Sequence, residues 1–207
     1  MKYPDFAIEN ELQGIIAGVD EAGRGPLAGP VVSAAVIFTD RNKIICGIND
    51  SKKLTEKNRK ALYDKIISTA KFGIGIADVE EIHSYNILEA TKLSMKRALH
   101  GLNTELDYVL VDGNQPPTIK WKVKPIINGD SISISIAAAS IIAKVTRDQI
   151  MQELHNQYPK YNWYKNKGYG TQEHINAINL HGITQHHRKN FAPVSKMRLI
   201  SQSNEIY

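Results

Sequence analysis

Cysteine is nearly absent from this 207-residue chain: Cys46 stands alone. A single thiol excludes an internal disulfide and a cysteine-rich zinc site. Its surroundings, Lys43-Ile44-Ile45-Cys46-Gly47-Ile48, predict a small buried hydrophobe rather than a nucleophile. Long apolar runs are missing as well. None reaches membrane-spanning length, and residues 1–10 lack the apolar stretch of a signal peptide, so a cytoplasmic protein with no membrane partner is expected. Internal repeats and low-complexity tracts are also absent.

What is present suits a folded α/β protein. The length fits one domain over residues 1–207, with a core at about 14–158, a helical lobe at about 159–195 and a tail at 196–207. Hydrophobic residues make up 42% and charged residues 23%, ordinary values for a chain with a real core. The net charge of +5 permits a nucleic-acid partner without singling one out.

Ile15-Ile16-Ala17 predicts a strand, and Val31-Val32-Ser33-Ala34-Ala35-Val36-Ile37-Phe38 a second strand buried on both faces. Thr55 caps a predicted helix running to Ala70, and Phe72, Ile74 and Ile76 alternate as in a strand. Asp78 and Glu81 have capping-box spacing for a helix over residues 79–102. Short strands are expected at 107–112 and 123–127. Ser131-Ile132-Ser133-Ile134-Ser135-Ile136 alternates like a strand but runs without a turn into the Ala-rich 137–145, so one helix from Ser131 toward His155 is expected, ended by Pro159. A last helix is predicted over 171–180. This order implies a mixed central sheet flanked by helices, with a C-terminal helical lobe.

Between the first two strands lies Asp20-Glu21-Ala22-Gly23-Arg24-Gly25-Pro26-Leu27-Ala28-Gly29-Pro30. Its glycines miss the dinucleotide spacing, and Pro26 and Pro30 would spoil the helix that such a fingerprint needs. Adjacent acids before a glycine-rich turn suit a solvated loop when they stand alone. Asp112 alone would be a turn residue, and Asp130 alone an N-cap. Three such strand-end positions converging on one sheet edge are instead how open α/β enzymes build sites. Four carboxylates without histidine or thiolate suit hard cations, Mg²⁺ or Mn²⁺. Two such ions together clamp the attacking water and leaving oxygen of phosphodiester hydrolysis.

The stretch 18–32 resembles the opening motif of the ribonuclease HII (type 2 ribonuclease H) family. Asp50-Ser51-Lys52-Lys53-Leu54, Val111-Asp112-Gly113-Asn114, Gly129-Asp130, Ala138 through Asp148, Lys167-Gly168-Tyr169-Gly170-Thr171 and His181-Gly182-Ile183-Thr184 with His187-Arg188 match its later motifs in order. The resemblance covers about Gly14 to Phe191. It implies an RNase H-like fold and an endonuclease that cuts the RNA strand of RNA–DNA hybrids. It also implies incision 5′ of single ribonucleotides in duplex DNA, leaving 3′-hydroxyl and 5′-phosphate ends. Asp20, Glu21, Asp112 and Asp130 would hold Mg²⁺ or Mn²⁺, two ions during catalysis. Gly23-Arg24-Gly25 would read the 2′-hydroxyl through backbone groups, and Tyr169 would stack on the following deoxyribose. Lys52, Lys53, Ser140 and Lys144 are candidate phosphate contacts, the last two four residues apart on one helix face.

Arg147 and Asp148 read as structural ion-pair residues. His187 and Arg188 either hold the helical lobe to the core or touch phosphate. His155, His174, His181 and His186 join His187 late in the chain, but their spacing fits no zinc motif. The family usually has lysine where this chain has Asn128, and serine where it has Asn190. A ribonuclease HIII-like enzyme restricted to hybrids and a catalytically silent hybrid-binding protein are the alternatives. Neither explains both the Gly-Arg-Gly and Tyr169 pair and the full set of acids. A monomer is expected.

Overall fold

β-Branched and small residues between Ile16 and Ile37 lay two strands side by side, β1 (Ile16–Ala22) and β2 (Val31–Ile37), paired antiparallel with Gly18 opposite Val36 and Glu21 opposite Ser33. The computed structural model describes residues 3–41 and 45–197. All seven residues of β2 are buried, as a strand covered on both faces requires. β3 (Lys71–Ala77) pairs antiparallel with β2, while β4 (Tyr108–Asp112) and β5 (Lys122–Ile126) extend the other side in parallel. The mixed sheet has the order β3-β2-β1-β4-β5.

The helices that flank the sheet and build the lobe are α1 (Ala7–Asn10), α2 (Glu56–Thr69), α3 (Val79–Gly101), α4 (Ile134–Gln157), α5 (Trp163–Asn166) and α6 (Gln172–His181). Thr55 caps α2, and Asp78 with Glu81 forms the expected capping box on α3. The alternating segment 131–136 does not extend the helix back to Ser131. Residues Gly129–Ser131 form a 3₁₀ turn, and the Ser133 hydroxyl accepts the Ile136 N–H to start α4. The carboxylate of buried Glu9 meets that start, accepting from Ser133 Oγ at 2.6 Å and from the Ser135 N–H at 3.1 Å. Among the described residues no helix is long and apolar enough to cross a membrane.

Strand alternation divides the core. Ala35 and Ile37 of β2, Ala17 and Val19 of β1, and Val109 and Val111 of β4 pack beneath α3 with Met95, Ala98 and Leu99. Ala34 and Val36 face α4 with Ala137, Ala138 and Ile141. Ile16 and Leu110 meet Ile136 of α4 on that same face. Gly18 shares it: a Cβ there would collide with the Ser135 backbone, so glycine lets α4 lie close over β1.

Cys46 is exposed, contrary to its expected burial. The apolar run breaks at a turn through Gly47 (φ 89°), which sends Ile48 inside instead. Residues 42–44 of that neighbourhood and the tail from residue 198 onward lie outside the described residues.

The C-terminal lobe closes over the loop between β1 and β2. Leu27 and Ala28 from that loop pack with Met151, Tyr161, Trp163, Ile178 and Val194. Trp163, His174 and His187 are fully buried in this lobe. Burial, with His174 and His186 adding, pushes the His187 imidazole down to about 3, and burial lowers His174 as well. The unfolded chain takes up a proton at His187 below about pH 6.5, whereas the folded chain does not until about pH 3. Stability from this group is therefore full above pH 6.5 and falls with pH, by on the order of 4 kcal/mol at pH 3. Denaturant titrations from pH 7 to pH 4 should show the loss, with a shallower slope in His187→Gln. An identical slope in the variant would place the acid sensitivity elsewhere.

Candidate active site

The strand parity that builds the core also aims the acids. Gly18 faces α4, so Asp20 two residues on does too, and Leu110 sets the same face for Asp112. Asp130 arrives from the 3₁₀ turn that feeds α4. Carboxylate oxygens of Asp20, Asp112 and Asp130 accordingly lie within 4.8 Å of one another. Glu21 starts from the opposite face of β1. It borders the same cleft but stands outside the trio, its Oε1 3.4 Å from Arg24 Nη1.

Backbone geometry holds the acids in place. Asp112 Oδ1 accepts the Gly129 N–H at 2.6 Å, and Asp20 Oδ1 accepts the Glu21 N–H at 2.7 Å. Asn128, just ahead of Gly129, sits in the left-handed region (φ 55°, ψ 38°), which asparagine tolerates better than most residues. Burial, then the charges of Glu21, Asp112 and Asp130, holds the Asp20 carboxyl well above the usual carboxylate range, against its backbone bond. Burial also raises Glu21, with Arg24 opposing and Asp112 adding. Asp130 is raised by burial and by Asp50 and Asp112, with Lys52 opposing. A buried all-oxygen cluster that resists its own ionisation is a donor set suited to a hard divalent cation.

The lysine turn stands against this cluster. Asp50 caps residues Ser51–Lys53 by accepting the Lys52 N–H. Burial lowers the Lys52 ammonium, but Asp20, Asp50, Asp130 and Asp112 together hold it above its ordinary value. Lys53 donates to Ser131 Oγ at 2.8 Å, beside Asp130. Ser140 is buried: its hydroxyl accepts the Ser51 N–H at 3.2 Å and donates to Ala137 O, so it anchors the turn that carries the lysines. Lys144 borders the cleft and pairs with Asp148 at 2.7 Å, and burial lowers its ammonium.

Residues 23–25 form the remaining wall, with Tyr169 against them. The Gly25 Cα faces the Tyr169 ring, and the ring is 45% exposed. Gly23 has φ 96°, and a Cβ there would strike Arg147. Together Asp20, Glu21, residues 23–25, Lys52, Lys144 and Tyr169 line a cleft of about 390 Å³. A cleft of about 430 Å³ at the opposite end of β1, lined by Gly14, Ile15, Phe38 and Arg41 among others, has no carboxylate in its walls.

Two arginines organise the loop. Arg188, 1% exposed, donates to the carbonyls of Gly29 (3.0 Å), Arg24 (2.9 Å), Gly23 (2.6 Å) and Pro30 (3.2 Å). Arg147, equally buried, donates to Pro30, Lys167 and Ala28 at 3.0–3.1 Å. Neither has a carboxylate ion-pair partner among the described residues. Asp148 is the ion-pair residue expected, bonded to Lys144 and 3.8 Å from Arg59, but Arg147 is a carbonyl clamp. Of the two roles open to Arg188, the buried one holds. A signal was available for Arg147, because Ala143, Arg147 and Met151 share one buried face of α4.

A mixed sheet with carboxylates gathered at the C-terminal ends of two neighbouring parallel strands has the donor set of a divalent-metal hydrolase. The sequence pattern of the ribonuclease HII family matches residues 17–194. A ribonuclease HII of Wolbachia pipientis subsp. Culex pipiens is 78% identical, the match covering 94% of this chain and 98% of that protein. The ribonuclease H2 structure from Pyrococcus horikoshii OT3 superposes with TM-score 0.78 at 25% identity, over 92% of this chain and 100% of that one. Bst-RNase HIII, solved in complex with Mn²⁺, shares the fold with TM-score 0.71 at 19% identity, over 91% of this chain and 70% of that one. The chain belongs to the ribonuclease HII family and is a ribonuclease H.

The clamp predicts a stability cost. Arg188→Lys keeps the charge but loses the planar fork, leaving buried carbonyls unpaired, and should cost on the order of 3 kcal/mol. Urea melts of the variant check this. Parent-like stability would mean that the loop is held by other contacts.

Proposed function

We propose that this ribonuclease H incises duplex DNA 5′ of a single embedded ribonucleotide and also cuts the RNA strand of RNA–DNA hybrids, leaving 3′-hydroxyl and 5′-phosphate ends. The observation that carries the reading is one cleft in which Asp20, the member of the acid trio that lines it, and Glu21 share walls with the backbone of residues 23–25 and the half-exposed Tyr169 ring, with Asp112 and Asp130 gathered at Asp20. Asp20, Asp112 and Asp130, with Glu21 beside them, are the residues that would hold Mg²⁺ or Mn²⁺. Bst-RNase HIII, which shares the fold, was solved in complex with Mn²⁺. When bound, such an ion activates water and offsets the phosphate's charge.

The chain's own residues do the rest. Arg147 and Arg188 occupy carbonyls of the 23–30 loop and so fix the backbone that meets the sugar. A 2′-hydroxyl both donates and accepts, and backbone groups unobstructed by a side chain at Gly23 and Gly25 suit its recognition. Tyr169 offers an aromatic face next to Gly25, placed for the sugar that follows. Lys52 and Lys53 are positioned for backbone phosphates, whose contacts align the duplex without reading sequence. Lys144 adds charge at the same wall. Ser140 supports this surface through Ser51.

A labelled DNA duplex with one ribonucleotide, assayed with Mg²⁺, Mn²⁺ or EDTA beside an all-DNA control, tests the reading. Metal-dependent incision 5′ of the ribonucleotide is expected. Asp20→Asn should lose several kcal/mol of transition-state stabilisation, about 10³-fold in rate. Cleavage of long hybrids alone would assign the specificity of a hybrid-only enzyme. Tight binding without cleavage would leave a binding protein.

A further inference from the structure

Tyr169 needs something to hold it. Its ring is half exposed, with the Arg147 guanidinium 6.0 Å from its centroid and Gly25 alongside. Packing of this kind does not fix a ring in one place, so the backbone must. Ahead of the ring, the Tyr169 N–H bonds to Asn166 O at 2.9 Å, and the Gly168 N–H bonds to Asn166 Oδ1 at 2.8 Å. Behind it, the Tyr169 carbonyl accepts the Thr171 N–H at 2.8 Å and meets His174 Nδ1 at 2.9 Å.

Which nitrogen of His174 carries the proton is decided by its neighbours. An indole N–H only donates, and Trp163 Nε1 lies 2.9 Å from His174 Nε2, so that nitrogen is the acceptor. The proton is therefore on Nδ1, pointing at the Tyr169 carbonyl. His187 is fixed the same way. The Thr184 N–H donates to His187 Nδ1 at 2.9 Å, which places the His187 proton on Nε2, 3.2 Å from His174 Nε2. The order runs from the Thr184 amide through His187 and His174 to the Tyr169 carbonyl, with every ring fully buried. Burial lowers both imidazoles, His187 to about 3, which favours the neutral rings that this order of donors and acceptors requires. The chain is also tied to the other reading element: Ala28 bridges His187, and the Arg188 N–H bonds to Leu27 O at 2.8 Å.

We propose that His174 is a positioning residue for ribonucleotide selection, holding Tyr169 against residues 23–25 through its Nδ1–H, with Trp163 and His187 setting its tautomer. The proposal rests on the reading of Tyr169 given above. It assigns a buried histidine pair to specificity rather than to the lobe's packing alone.

Two measurements on the intact enzyme test it. Nitrogen-15 spectra of the imidazoles should show Nδ1–H for His174 and Nε2–H for His187, and the reverse tautomer at His174 would overturn the proposal. The second compares kcat/KM for a single-ribonucleotide duplex with kcat/KM for a hybrid in the parent, Tyr169→Ala, His174→Gln and the double variant. Each single change should lower that ratio about tenfold, the scale of one stacking contact. The double variant should fall no more than about twofold below Tyr169→Ala, since both changes remove one function. Multiplying losses would make His174 an independent structural residue. An unchanged ratio in Tyr169→Ala would instead sink the reading of Tyr169 itself. If His174→Gln fails to fold, Trp163→Phe carries the test, because it keeps an aromatic ring and removes only the donor that fixes the tautomer. A lowered ratio with a population of Nε2–H His174 supports the relay, and an unchanged tautomer and ratio contradicts it.

Discussion

Three carboxylates brought within 4.8 Å of one another, two of them buried, repel each other at neutral pH and are poorly solvated. Much of the surrounding structure answers that cost. Backbone N–H groups of Glu21 and Gly129 bond to Asp20 and Asp112, and Lys52 is held close enough for its ammonium to be raised by the cluster. These contacts offset the cost of burial and repulsion without cancelling it, since burial first and the neighbouring acids second keep the Asp20 and Asp130 carboxyls raised. An all-oxygen donor set in this state suits a hard divalent cation.

The opposite charge is stored nearby. Arg147 and Arg188 lie buried without carboxylate partners among the described residues, satisfied by carbonyls of the loop that follows Glu21 and, for Arg147, by that of Lys167 as well. Guanidinium groups serve here because a planar fork meets several carbonyls at once, which an ammonium does not. The result is a loop whose path is set from beneath while its outer surface stays open toward the cleft. The C-terminal lobe completes the arrangement: its backbone bonds to Leu27 and Gly29, and its histidine pair reaches Tyr169.

Much of this was legible in the sequence, and the reason differs by feature. The Asp78 and Glu81 capping box and the all-apolar β2 are local patterns, so spacing alone revealed them. The acids were legible as strand-end residues and as motif members. That Asp20 faces Asp112 while Glu21 stands apart follows from strand parity, which the alternation of Ala17 and Val19 already encodes; Asp130 joins them from the 3₁₀ turn. For the arginine clamps only the burial of Arg147 was legible, from its place on the Ala143 and Met151 face of α4; the partners were not, because they are carbonyls and a carbonyl has no residue identity. Cys46 misled for a local reason: the positive φ of Gly47 turns the chain before the apolar run can go inside. The start of α4 shifted to Ile134 because Ser133 and Glu9 supply a cap from residues more than a hundred positions apart.

The measurement that bears most directly on this account is the thermal stability of Asp20→Asn against the parent protein in EDTA. If the carboxylates are held together against their own repulsion, removing one charge at constant shape should raise Tm, by on the order of 4 °C for a protein of this size. Saturating Mg²⁺ should stabilise the parent more than the variant and narrow that gap. A variant that melts below the parent in EDTA would contradict the account, because it would show that the Asp20 charge stabilises the fold and that the site needs no cation to complete it.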